Sequence, residues 1–166
     1  QVLLEGNDNG ATVSTDGGQT WSSLTNQPTG QYYHVTLDDQ FPFHMYGAQQ
    51  DAGSFEGPSA SPQGDIPLSA WHMVAYGEST FVAPQPGNPD VTYGSEYYSL
   101  MARYGMATGQ YRDVSPWPDY RDGAYSGELE YRFGWTHPIF FSAADPKELL
   151  VTSQYVLKSS DHGRTW

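Results

Sequence analysis

The octapeptide Ser14-Thr15-Asp16-Gly17-Gly18-Gln19-Thr20-Trp21 returns at the far end of the chain as Ser159-Ser160-Asp161-His162-Gly163-Arg164-Thr165-Trp166. Ser, Asp, the second Gly, Thr and Trp coincide in register, and Leu4 falls on Leu149 at the same offset of 145 residues. A β-rich segment precedes each copy, so the two are equivalent pieces of a repeating architecture. The chemistry of the unit is local. Its Asp can accept backbone N–H bonds inside a tight turn, its Gly residues permit positive φ, and its Trp can cover a hairpin. None of these tasks is catalytic, so activity has to be argued from other residues.

Composition agrees with short strands joined by tight turns. The 166 residues include 13 Tyr and 5 Trp, which suit pleated surfaces, and 18 Gly with 12 Pro, which punctuate them. The nearest approach to a helix, Tyr98 to Met106, lacks an N-cap with a clean 3.6-residue apolar stripe and carries Gly105 near its end. Gly, Ser and Pro crowd together from Gly57 to Pro67, which reads as a long surface loop rather than a domain boundary. The length suits one domain. Seven Lys plus Arg against 19 Asp plus Glu give a net charge of −12, arguing against nucleic acid or an anionic membrane as partner. No apolar run approaches the roughly 18 residues of a membrane span. The chain has no Cys, which removes disulfides, thiolate metal sites and a cysteine nucleophile. It opens in apparent mid-strand at Gln1-Val2-Leu3-Leu4, with no signal peptide.

The pattern Ser-x-Asp-x-Gly-x-Thr-Trp resembles the Asp-box of BNR-repeat β-propellers, the group that includes sialidases, xyloglucanase-type glycoside hydrolases and sortilin-like proteins. The segments Gly30 to Val35, Phe41 to Asp51, Tyr131 to Pro138 and Val151 to Tyr155 resemble bacterial BNR or sortilin-like proteins labelled glycosyl hydrolases. The resemblance implies an all-β fold, a propeller fragment of about three to four blades of antiparallel strands. The interval between the boxes would hold three blades of about 48 residues each. A half blade is expected over 1–21, a blade over 30–76, a blade over 77–135 and an incomplete blade over 136–166. The strands expected are Tyr32 to Leu37, His44 to Gln49, Gly53 to Glu56 and Trp71 to Tyr76; Thr80 to Ala83, Val91 to Ser95, Leu100 to Tyr104 and Leu129 to Phe133; then Pro138 to Ser142 and Leu149 to Thr152. Trp21 and Trp166 are expected in equivalent positions between blades. Three and a half blades do not close a ring, so self-association or further blades of a longer chain are expected.

In such a blade the loop between the second and third strands shares a face with the crossover to the next blade, while the Asp-box lies at the other face. That topology collects Gln49-Gln50-Asp51, Glu96-Tyr97-Tyr98, Gln154-Tyr155, Glu78 and Trp135-Thr136-His137 at one mouth, with Asn7-Asp8-Asn9 beside them. Carboxylates, amides and aromatic faces together suit a carbohydrate. Asp51 and Glu78 are the candidate acid and base, with Glu96 in reserve. Glu78 is the more desolvated and therefore the acid. Gln49, Gln50, Tyr97, Trp135, His137 and Gln154 are candidate substrate contacts. The plainer reading of Asp51, flanked by Ala52-Gly53, is a turn former.

The five histidines His34, His44, His72, His137 and His162 show no His-x-x-x-His spacing, and no metal site or cofactor is expected. There is no Gly-x-Ser-x-Gly elbow, P-loop or dinucleotide fingerprint. Only Arg103, Arg112, Arg121, Arg132 and Arg164 are present, and a sialidase-type Arg triad cannot be assigned among them. Two functions follow: an extracellular or periplasmic glycoside-hydrolase-like propeller acting on or binding carbohydrate, or a sortilin-like, non-catalytic propeller binding a peptide or protein. Sortilin-like proteins add a cysteine-rich module, which the absence of Cys does not match.

Overall fold

The computed structural model describes residues 1–8, 10–24, 30–75, 77–78, 81–96, 98, 100–117 and 123–166. Among these residues thirteen short strands form four antiparallel sheets in which consecutive strands are neighbours. The first sheet pairs β1 (Leu3–Asn7) with β2 (Gly10–Ser14). The second joins β3 (Thr36–Leu37), β4 (His44–Gln49), β5 (Gly53–Pro58) and β6 (His72–Met73). The third joins β7 (Val82–Gln85), β8 (Asn88–Ser95), β9 (Met101–Gly105) and β10 (Gln110–Asp113), and the fourth β11 (Ile139–Phe141), β12 (Leu149–Thr152) and β13 (Val156–Ser159). Among the described residues helix is almost absent, and a 3-10 turn lies at Leu68–Ala70. The sheets do not join into a closed ring.

The third sheet is covered on both faces, and strand alternation shows why. Val82 packs with Tyr46, Ala48, Val74 and Ala75 of the second sheet and its exit, while the next residue, Ala83, belongs to the cluster of Tyr93, Met101, Ile139, Leu149 and Val151 shared with the fourth sheet. In β8, Tyr93 meets Phe141 edge to face at 5.4 Å, and Thr92 turns the other way to accept the Ala75 N–H at 3.1 Å. Residues 91–95 are therefore all buried although only some are apolar.

One expected strand is displaced. The last strand of the third sheet is β10, Gln110–Asp113, and not Leu129 to Phe133. Gly109 N–H bonds back to Gly105 C=O at 2.8 Å, so the chain reverses at once and pairs Arg112 with Arg103. Phe133 instead buries its ring in the core outside any strand. The stretch from Tyr32 to Leu37 contributes only the short β3 and an isolated bridge from Tyr32 to Gln49. Of Trp71 to Tyr76 only β6 is strand, and Tyr76, like Thr80, lies outside the described residues.

The two octapeptides fold into matching turns. Ser14 Oγ donates to Asp16 Oδ1 and accepts the Gly18 N–H, both at 2.8 Å, while Asp16 accepts the backbone N–H groups of Gln19 and Thr20, each at 3.0 Å, and the Thr20 hydroxyl at 2.7 Å. Ser159, Asp161, Gly163, Arg164 and Thr165 repeat every one of these bonds. Donors to the ionised form hold both carboxyls far below the ordinary range: chiefly the Thr20 N–H for Asp16 and the Thr165 hydroxyl for Asp161. The tryptophans are not equivalent. Trp166 donates its indole N–H to Val114 C=O at 2.9 Å, whereas Trp21 turns back toward Gly18 of its own turn and is 45% exposed. The difference lies in what each turn packs on: Gly163 has φ +75 and lies so close to Val114 that a Cβ there would approach Val114 Cβ to 2.7 Å.

Candidate functional site

Three loops from two sheets bring the candidate carboxylates together. The turn between β4 and β5 is closed by Ala52 N–H donating to Gln49 C=O at 3.1 Å and places Asp51 at φ 58, a left-handed conformation that Asp tolerates better than most residues. The crossover from β6 to β7 passes directly over the end of β8. A Cβ on Gly77 would lie 2.3 Å from Ser95 O and 2.7 Å from Glu96 N, at φ +92, so only glycine lets the two backbones approach this closely. Ser54, buried at the start of β5, donates its hydroxyl to Gly77 C=O at 2.6 Å and ties the crossover to the second sheet.

Glu78 follows Gly77, and Glu96 follows Ser95. The Glu78 carboxyl is pushed above its ordinary range by burial first, then by the charges of Asp51 and Glu96, against the opposing pull of a bond from the Asp51 N–H. Glu78 and Glu96 are half-buried and Asp51 is exposed. Burial and like charge thus favour the neutral form of Glu78, the group placed deepest of the two in the expected pair.

An aromatic and amide chain runs into the same cluster. The Trp135 indole N–H donates to Tyr33 Oη at 3.2 Å, the Tyr33 hydroxyl donates to Gln50 Oε1, and Gln50 Nε2 donates to Asp51 Oδ1 at 3.0 Å. Tyr98 meets the Trp135 ring edge to face at 5.8 Å. Trp135 remains 41% exposed, so it offers a flat apolar surface beside fixed polar groups. Tyr33 is the participant that the sequence did not single out as a contact. It joins the site only because residues 30–33 lie along the end of β4, with Tyr33 N–H donating to Ala48 C=O and Gln50 N–H to Gln31 C=O.

The other expected contacts stand apart from this chain. Gln49 is half-buried against Gly30, whose Cβ position would lie 2.6 Å from Gln49 Cδ. Gln154 spends both ends of its amide on the approach to β11, accepting from Arg132 N–H at 2.7 Å and donating to Glu130 C=O at 2.9 Å. His137 is 2% exposed with its ring against Phe133, and burial holds its pKa down to about 4. The structure thus places His137 in the interior rather than on an open surface. Tyr97 and Asn9 lie outside the described residues.

Among the described residues no group of three or more His, Asp or Glu is arranged to hold a metal ion, and no helix is long and apolar enough to cross a membrane. A separate concavity opens at the opposite ends of β4 and β5, where His44 and Glu56 face the third sheet.

No protein-family model matches the chain, and no curated protein matches it. Among solved structures it is similar to the GH74 xyloglucanase from Xanthomonas campestris, with 17% sequence identity and a TM-score of 0.48 over 99% of this chain and 27% of that one. The chain therefore spans little more than a quarter of that enzyme's length.

Proposed function

We propose that this chain is part of a BNR-type β-propeller whose mouth binds carbohydrate, with Glu78 as a proton-donating carboxyl and Asp51 as its ionised partner. The observation that carries the reading is the convergence of Asp51, Glu78 and Glu96 from separate loops, with Glu78 raised by burial and by its two neighbours. Glycoside cleavage uses one protonated and one ionised carboxyl flanking the scissile bond, and unequal environments keep the two apart at a shared pH. The Trp135 face suits sugar C–H surfaces, and the Gln50 and Tyr33 groups suit hydroxyls. The two Asp-box turns with matching bonds, and four meandering sheets of two to four strands, support the repeat reading with blades at 30–76 and 77–135. Val2 before β1 and Leu4 within it are 65% and 79% exposed, which fits a surface covered by further blades or a second copy. An extracellular or periplasmic setting belongs to the same proposal.

The test is a panel of aryl glycosides and plant polysaccharides assayed for turnover and for retention of the protein. Turnover that falls roughly 100-fold or more in Glu78→Gln and in Asp51→Asn supports the acid and base roles. Retention without turnover, lost in Trp135→Ala, makes the mouth a binding surface only. A parent that neither turns over nor retains any glycan refutes the proposal and favours a peptide-binding propeller.

A further inference from the structure

At the other end of the second sheet, register builds a polar row that the mouth does not use. Tyr46 pairs with Glu56 and Glu56 with His72 across β4, β5 and β6, and His44 lies two residues before Tyr46 on the same face. The row faces a groove of about 400 Å³ between the second and third sheets, a volume in the usual range for small-molecule sites. Pro89 and Asp90 of β8 and Met106 beyond β9 form the opposite wall.

Two carboxylates, Asp38 behind the row and Glu56 within it, are in opposite conditions. Asp38 accepts the His44 N–H at 2.8 Å, the Gln40 N–H at 3.2 Å and the Tyr46 hydroxyl at 2.9 Å, and its Oδ2 lies 3.3 Å from His44 Nδ1. Those bonds outweigh burial and lower its pKa. Glu56 lines the groove, is 3% exposed, and has no hydrogen-bond partner at Oε2. His44 Nε2, at 3.9 Å, is too far to donate to it. Burial raises the Glu56 pKa; His44 and His72 oppose that when charged, and Asp38 adds to it. A buried carboxylate oxygen without a donor is costly and rare, and a partner that supplies both a proton donor and positive charge removes the cost.

The wall carries Glu56 and Asp90, with Asp38 behind, and no Lys or Arg; His44 and His72 also line it, and neither hydrogen-bonds Glu56 Oε2. Its apolar part comes from Pro58, Ala70, Pro89 and Met106. We propose that this groove is a second ligand site that takes a small primary alkylammonium ion, the ammonium group against Glu56 Oε2 and the hydrocarbon stem along the Pro58, Pro89 and Met106 wall. An ammonium is compact, carries three donors, and needs only one buried acceptor to be oriented. Because the site uses none of the mouth residues, it stands or falls independently of the carbohydrate reading.

The probe is n-butylammonium, titrated into the full 166-residue chain at 150 mM salt, with 1-butanol as the neutral control of similar shape. Imidazole proton resonances of His44 and His72 report occupancy by NMR. The expected result is saturable shifts at both histidines and at least 10-fold weaker binding of 1-butanol. Glu56→Gln should weaken butylammonium at least 10-fold, and Asp90→Asn, an exposed change on the rim that leaves the fold alone, several-fold. Asp145→Asn, a distant surface charge, should change nothing. Equal binding of the alcohol, shifts that fail to saturate, or equal losses from Asp90→Asn and Asp145→Asn would overturn the proposal, leaving only the attraction of a polyanionic surface. If Glu56→Gln fails to fold, the Asp90→Asn and alcohol comparisons still decide.

Discussion

Replacing Gly77 by Ala tests the backbone contact on which the carboxylate cluster depends. The new Cβ would fall 2.3 Å from Ser95 O and 2.7 Å from Glu96 Cα and N, all backbone atoms that cannot rotate aside. Alanine at φ +92 adds left-handed strain of about 1–2 kcal/mol. Relief of the clash requires the crossover and the end of β8 to separate by roughly 1 Å, which breaks the 2.6 Å bond from buried Ser54 to Gly77 C=O and costs about 1–3 kcal/mol more. The sum, about 2–5 kcal/mol, reaches the upper end for single substitutions and is a large share of a small domain's stability. Urea unfolding should therefore show a strongly lowered midpoint with little change in slope. Carboxyl NMR should show Glu78 titrating closer to the ordinary range as Asp51 and Glu96 draw away. A Gly77→Ala protein within 0.5 kcal/mol of the parent, with Glu78 unmoved, would refute the close-approach argument.

Other perturbations separate in pH and in place. The His137 pKa is lowered from 6.5 to about 4 by burial, so its neutral form stabilises the fold above pH 6.5 and that contribution is lost as pH falls toward 4; the unfolding free energy from urea titrations should decline across that window, by up to about 3 kcal/mol, and His137→Phe should flatten the decline. Asp16 and Asp161 are also lowered, so their contribution is present above 3.8 and disappears only at more acidic pH; the double change to Asn should remove that lower step and leave the His137 step in place. Ile139 is 1% exposed between the third and fourth sheets, and Ile139→Ala should cost about 2–5 kcal/mol by urea unfolding, against less than 0.5 kcal/mol for an exposed change such as Lys147→Ala.

What could be read along the chain was whatever acts over a few residues. Strands β4, β8 and β12 fall within a residue or a few of their expected places, because their alternation and their flanking turns are local. The paired Ser-x-Asp turns have the bonds their residues imply, since every donor lies within four positions of its acceptor. Glu78 feels the charges of Asp51 and Glu96, a proximity set by the close approach of Gly77 to the end of β8 and not by any short-range signal.

Tertiary structure decided the rest, because the remaining partners are far apart in sequence and depend on which sheet packs on which. Trp135 reaches Tyr33 across 102 positions, and nothing near Tyr33 marks it for the mouth. Glu56 reads as one more acidic strand residue until register sets it between Tyr46 and His72 and the third sheet closes over it. His137 looked like a surface contact beside Trp135 until the start of β11 carried it into the core. Turn chemistry is written in short-range hydrogen bonds, whereas burial, and with it the ionisation of Glu56, Glu78 and His137, comes only from the stacking of separate sheets.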